Sequence, residues 1–294
     1  MKKIFYLAAA MSIVAFASCE KQGGKEDDKE AIKVTVAEDA LVLHLPFEDG
    51  SVAKGEGVTF ASKEGKAELV DGFIGKAYTN TSGDAKESGY LKYNLAATNC
   101  INTLKSFTFS AWVKRPALGS GAFFSVNGGE HDWGSTFHLM FDNSGVGEDG
   151  ATYQQFNARI DSYKEGEDGA KFQASCWPNV QGPEFAKVDE WFHVARTYDA
   201  ATGAWAVYVD GVKTHDGVHE YGDPAGPFGD LDLASPTMNA LYVGGWAAII
   251  DGVNNQDWMT YFNGSIDEVR MYNRALTAEE LGQLWQQEKL INLE

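Results

Sequence analysis

Between residues 265 and 288 the chain writes a strand, a tight exit and a helix in one line. Along Ser265-Ile266-Asp267-Glu268-Val269-Arg270-Met271-Tyr272-Asn273, Ile266, Glu268, Arg270 and Tyr272 alternate with Asp267, Val269, Met271 and Asn273. A strict period of two leaves neither face purely apolar, which predicts a strand in a sheet packed on more than one side. Thr277 with Glu280 three residues later predicts a capping box and a helix over about 278–288, with Leu281, Leu284 and Trp285 on one face.

Further strands are predicted at 107–114, 191–198 and 204–210, with shorter ones at Leu41–Phe47, Tyr90–Tyr93 and Phe123–Val126. Between them Gly falls where strands turn: Asp49-Gly50, Asp71-Gly72, Thr202-Gly203, Asp210-Gly211 and Asn263-Gly264. Turn signals this frequent between β-branched and aromatic runs predict antiparallel sheets joined by hairpins. No repeat or Pro-rich linker divides residues 41–294, which are read as a single all-β domain. Long polar stretches at 127–135, 142–150, 163–184, 215–239 and 246–262 are read as loops, where function tends to concentrate.

Three motifs occur in order: Phe107-Thr108-Phe109-Ser110-Ala111-Trp112-Val113; then Trp191-Phe192-His193-Val194-Ala195 through Tyr198-Asp199 to Tyr208-Val209-Asp210-Gly211; then Gly264-Ser265-Ile266-Asp267-Glu268-Val269-Arg270 through Tyr272-Asn273-Arg274-Ala275-Leu276-Thr277. Together they resemble the laminin-G-like, concanavalin-A-like jelly roll over roughly residues 41–288. The resemblance implies an antiparallel two-sheet sandwich with a short C-terminal helix that recognises carbohydrate or protein surfaces. It does not by itself imply catalysis. It also implies a calcium ion between the first strand region and the last strand, for which Glu48 or Asp49 and Asp267 are the matching positions, with backbone oxygens completing the shell.

The N-terminus adds a location. Met1-Lys2-Lys3, the apolar run Ile4–Phe16 and the small residues before Cys19 describe a secretory signal over residues 1–18, too short to span a bilayer. Phe16-Ala17-Ser18-Cys19 resembles a bacterial lipobox, which implies an acylated Cys19, and the acidic stretch soon after it resembles the export signal of outer-membrane lipoproteins exposed at the cell surface. Residues 19–40 follow as a charged, flexible tether.

The formal net charge is −18, and loss of Lys2 and Lys3 with the signal leaves 22 basic against 42 acidic residues, a net −20. So acidic a body repels nucleic acid and anionic head groups, leaving neutral sugars, cations and basic partners. The three cysteines, less Cys19, leave Cys100 and Cys176 either paired or free.

No strand carries the paired carboxylates of a sandwich glycosidase, and no serine-nucleophile elbow, zinc motif or phosphate loop occurs. The expectation is therefore a binding protein. Its ligand is expected to be an oligosaccharide or polysaccharide, with partners drawn from a glycan-uptake system; a protein-adhesion module and a divergent glycosidase are the alternatives. Trp112, Trp191, Trp205 and Trp285 fall in strand or helix positions explained by packing. Trp133, Trp177, Trp246 and Trp258 lie in or beside the long loops with polar neighbours, and are the candidates for stacking on a sugar ring.

Overall fold

In the computed structural model, the described residues are 33–129, 134–166, 169–176, 178–222 and 224–293. Residues 1–32, and with them the expected signal and Cys19, lie outside them. The strands are β1 (Leu41–Leu45), β2 (Val58–Gly65), β3 (Ala67–Asp71), β4 (Lys76–Asn80), β5 (Gly89–Leu95), β6 (Phe107–Lys114), β7 (Gly121–Asn127) and β8 (Ser135–Val146). They continue with β9 (Thr152–Glu165), β10 (Lys171–Cys176), β11 (Asn179–Gly182), β12 (Phe192–Tyr198), β13 (Ala204–Val209), β14 (Val212–Val218), β15 (Ala240–Val243) and β16 (Ser265–Tyr272). Two helices follow β15: α1 (Ala247–Ile250), and α2 (Ala278–Asn292) beyond β16.

These strands form two antiparallel sheets facing each other, the expected sandwich. A nine-stranded sheet runs β14-β13-β12-β6-β16-β1, with the two-residue strand Lys54–Gly55 beyond β1 and the β3–β4 hairpin joined to β16; an eight-stranded sheet runs β10-β9-β8-β7-β15-β5-β2, with β11 also on β9. Between them lies one aromatic-rich core that includes Phe107, Phe109, Phe123, Phe141, Phe156 and Phe192, all fully buried. The Asp210-Gly211 turn joins β13 to β14 with both residues at positive φ, 50° and 75°, as a two-residue hairpin matched to strand twist requires.

The strand predicted over 265–272 is present, and its facing differs from strict alternation. Between Asp267 and Arg270 the register with β6 slips by one residue, and Glu268 takes a φ of +50°. This bulge puts Ile266, Val269 and Met271 in the core while Asp267, Glu268 and Arg270 share the outer face. Asp267 and Glu268, expected on opposite faces, therefore lie on one.

Helix α2 covers that face. Its capping box forms as predicted: the Thr277 hydroxyl accepts from the Glu280 N–H while the Glu280 carboxylate accepts from the Thr277 N–H. Leu281 and Leu284 are buried beside Tyr272 and Tyr208. Glu288, fully buried, accepts from Trp112 Nε1 at 2.8 Å and from Arg270 Nε at 2.8 Å. Arg270 also donates to Glu268, whose carboxylate meets His44 Nε2 at 2.8 Å. Burial pushes Glu288 up to about 7 even with Arg270 beside it. Burial alone would raise Glu268 too, but the His44 and Arg270 bonds hold it below the ordinary carboxylate range.

Ordered packing begins before the tether boundary expected at residue 40. Val36 and Ala40 are buried in the α2 cluster, and Gln287 clamps Thr35, accepting from its N–H at 2.9 Å and donating to its hydroxyl at 3.2 Å. Some stretches read as loops are paired: β10 and β11 occupy part of 163–184 and β14 runs into 215–218. Cys100 and Cys176 are free, buried thiols, and Arg196 approaches the Cys176 sulfur at 3.6 Å.

The buried charges make a direct prediction. Arg270→Met leaves two buried carboxylates without their shared cation, and removing one partner of a buried pair costs about 3–5 kcal/mol. Urea unfolding followed by tryptophan fluorescence should show a loss of that order, and a change under about 1 kcal/mol would count against the cluster.

Candidate functional site

The outer face of the eight-stranded sheet is polar and covered. On β8, Phe137, Leu139 and Phe141 enter the core, which turns His138, Met140 and Asp142 outward; on β9, Phe156, Ala158 and Ile160 do the same for Asn157, Arg159 and Asp161. The register sets Asn157 beside Met140, Arg159 beside His138, and Asp161 beside Ser175 of β10. Alternation therefore builds a row of hydrogen-bonding groups across three strands.

The segment after β15 folds over this row. Trp246 is 1 % exposed and sits with Ala122, Met140, Ala248 and Met259 in a small apolar cluster. Its N–H donates to the Ser135 hydroxyl at 3.2 Å, and its ring lies 5.2 Å from that of His138. Trp258 packs edge-on against Trp246, ring centres 5.5 Å apart, and remains 44 % exposed. The two indoles and the strand residues His138, Asp142, Asn157 and Arg159 enclose a hollow of about 40 Å³.

Its electrostatics are those of a buried polar floor. Arg159 donates through Nε to Asp161 at 2.9 Å and through Nη2 to Ser175 at 2.8 Å, and the Ser175 hydroxyl donates to the same Asp161 oxygen at 2.6 Å. Among the described residues, the second Asp161 oxygen and the Asn157 side-chain oxygen are buried with no hydrogen-bond partner. Burial, with Arg159 adding to it, drives His138 down to about 3, so its ring is neutral near pH 7 and its Nδ1 sits 2.9 Å from the Ser135 hydroxyl. Such a floor offers acceptors to a ligand that brings O–H or N–H groups.

Of the four loop tryptophans, the structure brings Trp246 and Trp258 together at this hollow, one as wall and one as exposed lip; Trp133 and Trp177 lie outside the described residues. The sequence reading missed His138, Asn157, Arg159 and Asp161. The signal was available in Phe156-Asn157-Ala158-Arg159-Ile160-Asp161, a strict apolar-polar alternation.

A second constellation gathers at the turn 72–76. Asp267 Oδ2 accepts from the Ile74 N–H at 2.8 Å, and Glu48 Oε1 accepts from the Lys76 N–H at 3.3 Å. Gly72 and Gly75 lie so close that an added Cβ would strike the Asp267 and Glu48 carboxylates respectively. Burial pushes Asp267 up to about 8, against the lowering from the Ile74 N–H. Asp49 turns elsewhere: its Oδ1 accepts from the Ser51 N–H at 2.8 Å. Among the described residues no group of three or more His, Cys, Asp or Glu side chains is placed to hold a metal. Glu48 and Asp267 thus fit a hard cation only with backbone carbonyls supplying most of its oxygens.

Solved structures share the fold. The chain matches the binding domain of botulinum neurotoxin serotype D/C with a TM-score of 0.53 and 12 % identity, over 85 % of this chain and 52 % of that one. The binding domain of botulinum neurotoxin DC in complex with rat synaptotagmin II gives 0.52 and 14 %, over 85 % and 52 %. The chain therefore spans about half the length of these toxin chains. Domain 4 of an extracellular arabinanase from Geobacillus stearothermophilus, in complex with arabinotriose, gives 0.48 and 21 %, over 84 % of this chain and all of that one. No curated protein sequence matches. Residues 86–282 match the family described as the concanavalin A-like lectin/glucanases superfamily, within its laminin-G group. With two thirds of its length in that match and the sandwich that goes with it, the chain belongs to the concanavalin A-like lectin/glucanase superfamily.

Proposed function

We propose that this protein is a surface lipoprotein that binds carbohydrate on the outer face of its eight-stranded sheet, as a glycan-capturing accessory of polysaccharide uptake. One observation carries the reading: the exposed Trp258 indole stands at the lip of a hollow lined by Asn157, whose buried side-chain oxygen has no hydrogen-bond partner among the described residues. A sugar ring presents an apolar face to an indole and hydroxyls to acceptors, so one ligand satisfies both. Binding fits better than hydrolysis, because Asp161 is tied to Arg159 and Ser175 while Asp142 accepts from the Ser120 hydroxyl at 3.1 Å. A glycosidase needs one carboxyl free to donate a proton and another free to attack or activate water.

Acylation of Cys19, read from Phe16-Ala17-Ser18-Cys19, anchors the domain to the outer membrane in this proposal. Calcium is proposed as a structural ion between Glu48, Asp267 and the carbonyls of the turn 72–76. When bound, it supplies positive charge that the buried Asp267 carboxylate otherwise lacks.

Three measurements test these assignments. Screened against a glycan array, Trp258→Ala should lose on the order of 1–3 kcal/mol in affinity for the sugar that the wild type selects, with an unchanged melting temperature. Trp246→Ala should instead lower stability by about 3–5 kcal/mol, as removal of a buried aromatic does. Wild-type affinity in Trp258→Ala moves the sugar away from this hollow.

Chelation should lower the wild-type melting temperature. An ion held at about 100 times its Kd stabilises by about 2.7 kcal/mol. Asp267→Asn should abolish the response to chelator, and a wild-type melt indifferent to chelator rules the ion out.

In detergent phase separation, the full-length protein should enter the detergent phase and Cys19→Ala the aqueous one. Equal partitioning of the two would remove the anchor from the proposal.

A further inference from the structure

The nine-stranded sheet carries a second hollow, on the far side of the sandwich from His138. Its floor follows from alternation. Tyr78, Ile266, Val113 and Phe192 enter the core from four neighbouring strands, so Thr79, Ser265, Lys114 and Trp191, each one residue away, turn outward. The register sets Thr79 beside Ser265 and Ser265 beside Lys114, and Trp191 precedes the Phe192–Val113 pair. The four side chains thus form one row across β4, β16, β6 and the entrance to β12. Asp189, Asn263 and the exposed Thr81 rim it, and the space they enclose is about 370 Å³. That volume lies in the range of small-molecule sites, about 300–1,000 Å³.

Packing explains part of this row and leaves part unused. Thr79 and Ser265 bond each other at 3.0 Å, and Thr79 donates to the Gly264 carbonyl at 3.2 Å. The Trp191 ring meets Phe73 edge-on at 6.3 Å, which braces the indole in place. Among the described residues, however, the Lys114 ammonium, the Asp189 carboxylate and the Trp191 N–H make no hydrogen bond or ion pair with another side chain or carbonyl. Asp189 is held at a φ of +58°, a conformation that a non-glycine residue rarely adopts, while its N–H donates to the Arg115 carbonyl at 2.8 Å. A braced indole, one free cation, one free carboxylate and the hydroxyls of Thr79 and Ser265 converge on one hollow.

We infer that this hollow is a second saccharide-binding site, taking one ring of a neutral glycan on the Trp191 indole with its hydroxyls bonded to Lys114 and Asp189. A neutral sugar suits the mixed lining: each hydroxyl both donates and accepts, so it satisfies an ammonium and a carboxylate together, whereas an anionic group would face the Asp189 carboxylate. The two hollows open on opposite sheets. A short oligosaccharide therefore fills them independently, and a long or branched polysaccharide spans them, gaining affinity through effective concentration without new contacts. This inference rests on the carbohydrate reading above and adds a site to it.

The test uses the full chain with hexaoses of glucose, xylose, mannose and arabinose, and with the corresponding polysaccharides. Calorimetry of the wild type with the hexaose that binds should give two sites per chain. Trp191→Ala and Thr81→Trp should each leave one site; the second variant blocks the hollow from its exposed rim without removing a packed side chain. Affinity electrophoresis in the polysaccharide should show retention weakened about tenfold or more in both variants, as loss of the second attachment requires. A wild-type stoichiometry of one that Trp258→Ala abolishes overturns the second site and keeps the first. Binding that Trp258→Ala leaves untouched and Thr81→Trp abolishes keeps the Trp191 site and overturns the first. Absence of binding to every glycan overturns both.

Discussion

A bulge with a buried ion cluster beneath a helix is the constraint on which the nine-stranded sheet depends. By slipping one residue between Asp267 and Arg270, the last strand keeps Ile266, Val269 and Met271 in the core and sends three charged side chains to one outer face. Charges on a face that another element covers must be paired, because a lone buried ion carries a large desolvation cost. Arg270 pairs Glu268 from its own strand with Glu288 from α2, and Trp112 donates to the same Glu288. The helix is thus positioned by charge as well as by Leu281 and Leu284.

The two outer faces are finished differently, and the difference sets where ligands can reach. On the nine-stranded sheet, α2 and residues 33–40 cover the middle and leave the end near Lys114 and Trp191 open. On the eight-stranded sheet, a loop seals the floor with Trp246 and leaves Trp258 at the edge. In both places an aromatic residue is half released from packing beside hydrogen-bonding groups that the fold itself does not satisfy.

Much of the fold was legible in the chain because local signals and tertiary packing agree. The capping box at Thr277, the Asp210-Gly211 turn and the run Phe107–Lys114 each specify one local answer, and the structure adopts it. The bulge was not legible, since a period-two pattern with charges on both phases fits a doubly covered strand as well as a slipped one. Nor could Trp246 be separated from Trp258. Both sit among polar residues in one loop, and only the packing of Ala122, Met140 and Met259 shows which indole is enclosed. Arg159 and Asp161 were hidden for another reason: their stretch runs into a Gly- and Glu-rich turn, which masked a strand fourteen residues long. At the turn 72–76, the positions of Glu48 and Asp267 came from family resemblance; that they press on glycines of one turn, Asp267 on Gly72 and Glu48 on Gly75, is a matter of three-dimensional approach.

The clamp between Thr35 and Gln287 has a mechanical consequence. Thr35, among the first described residues, is fastened to the last helix, so a pull applied from its N-terminal side is shared with α2 rather than borne by β1 alone. Glu288, one residue beyond Gln287, passes that load through Arg270 into β16, a strand flanked by neighbours on both sides. In the proposed role of holding a polysaccharide, the domain is strained along this line, and the same cluster that neutralises charge beneath α2 acts as a strain relief.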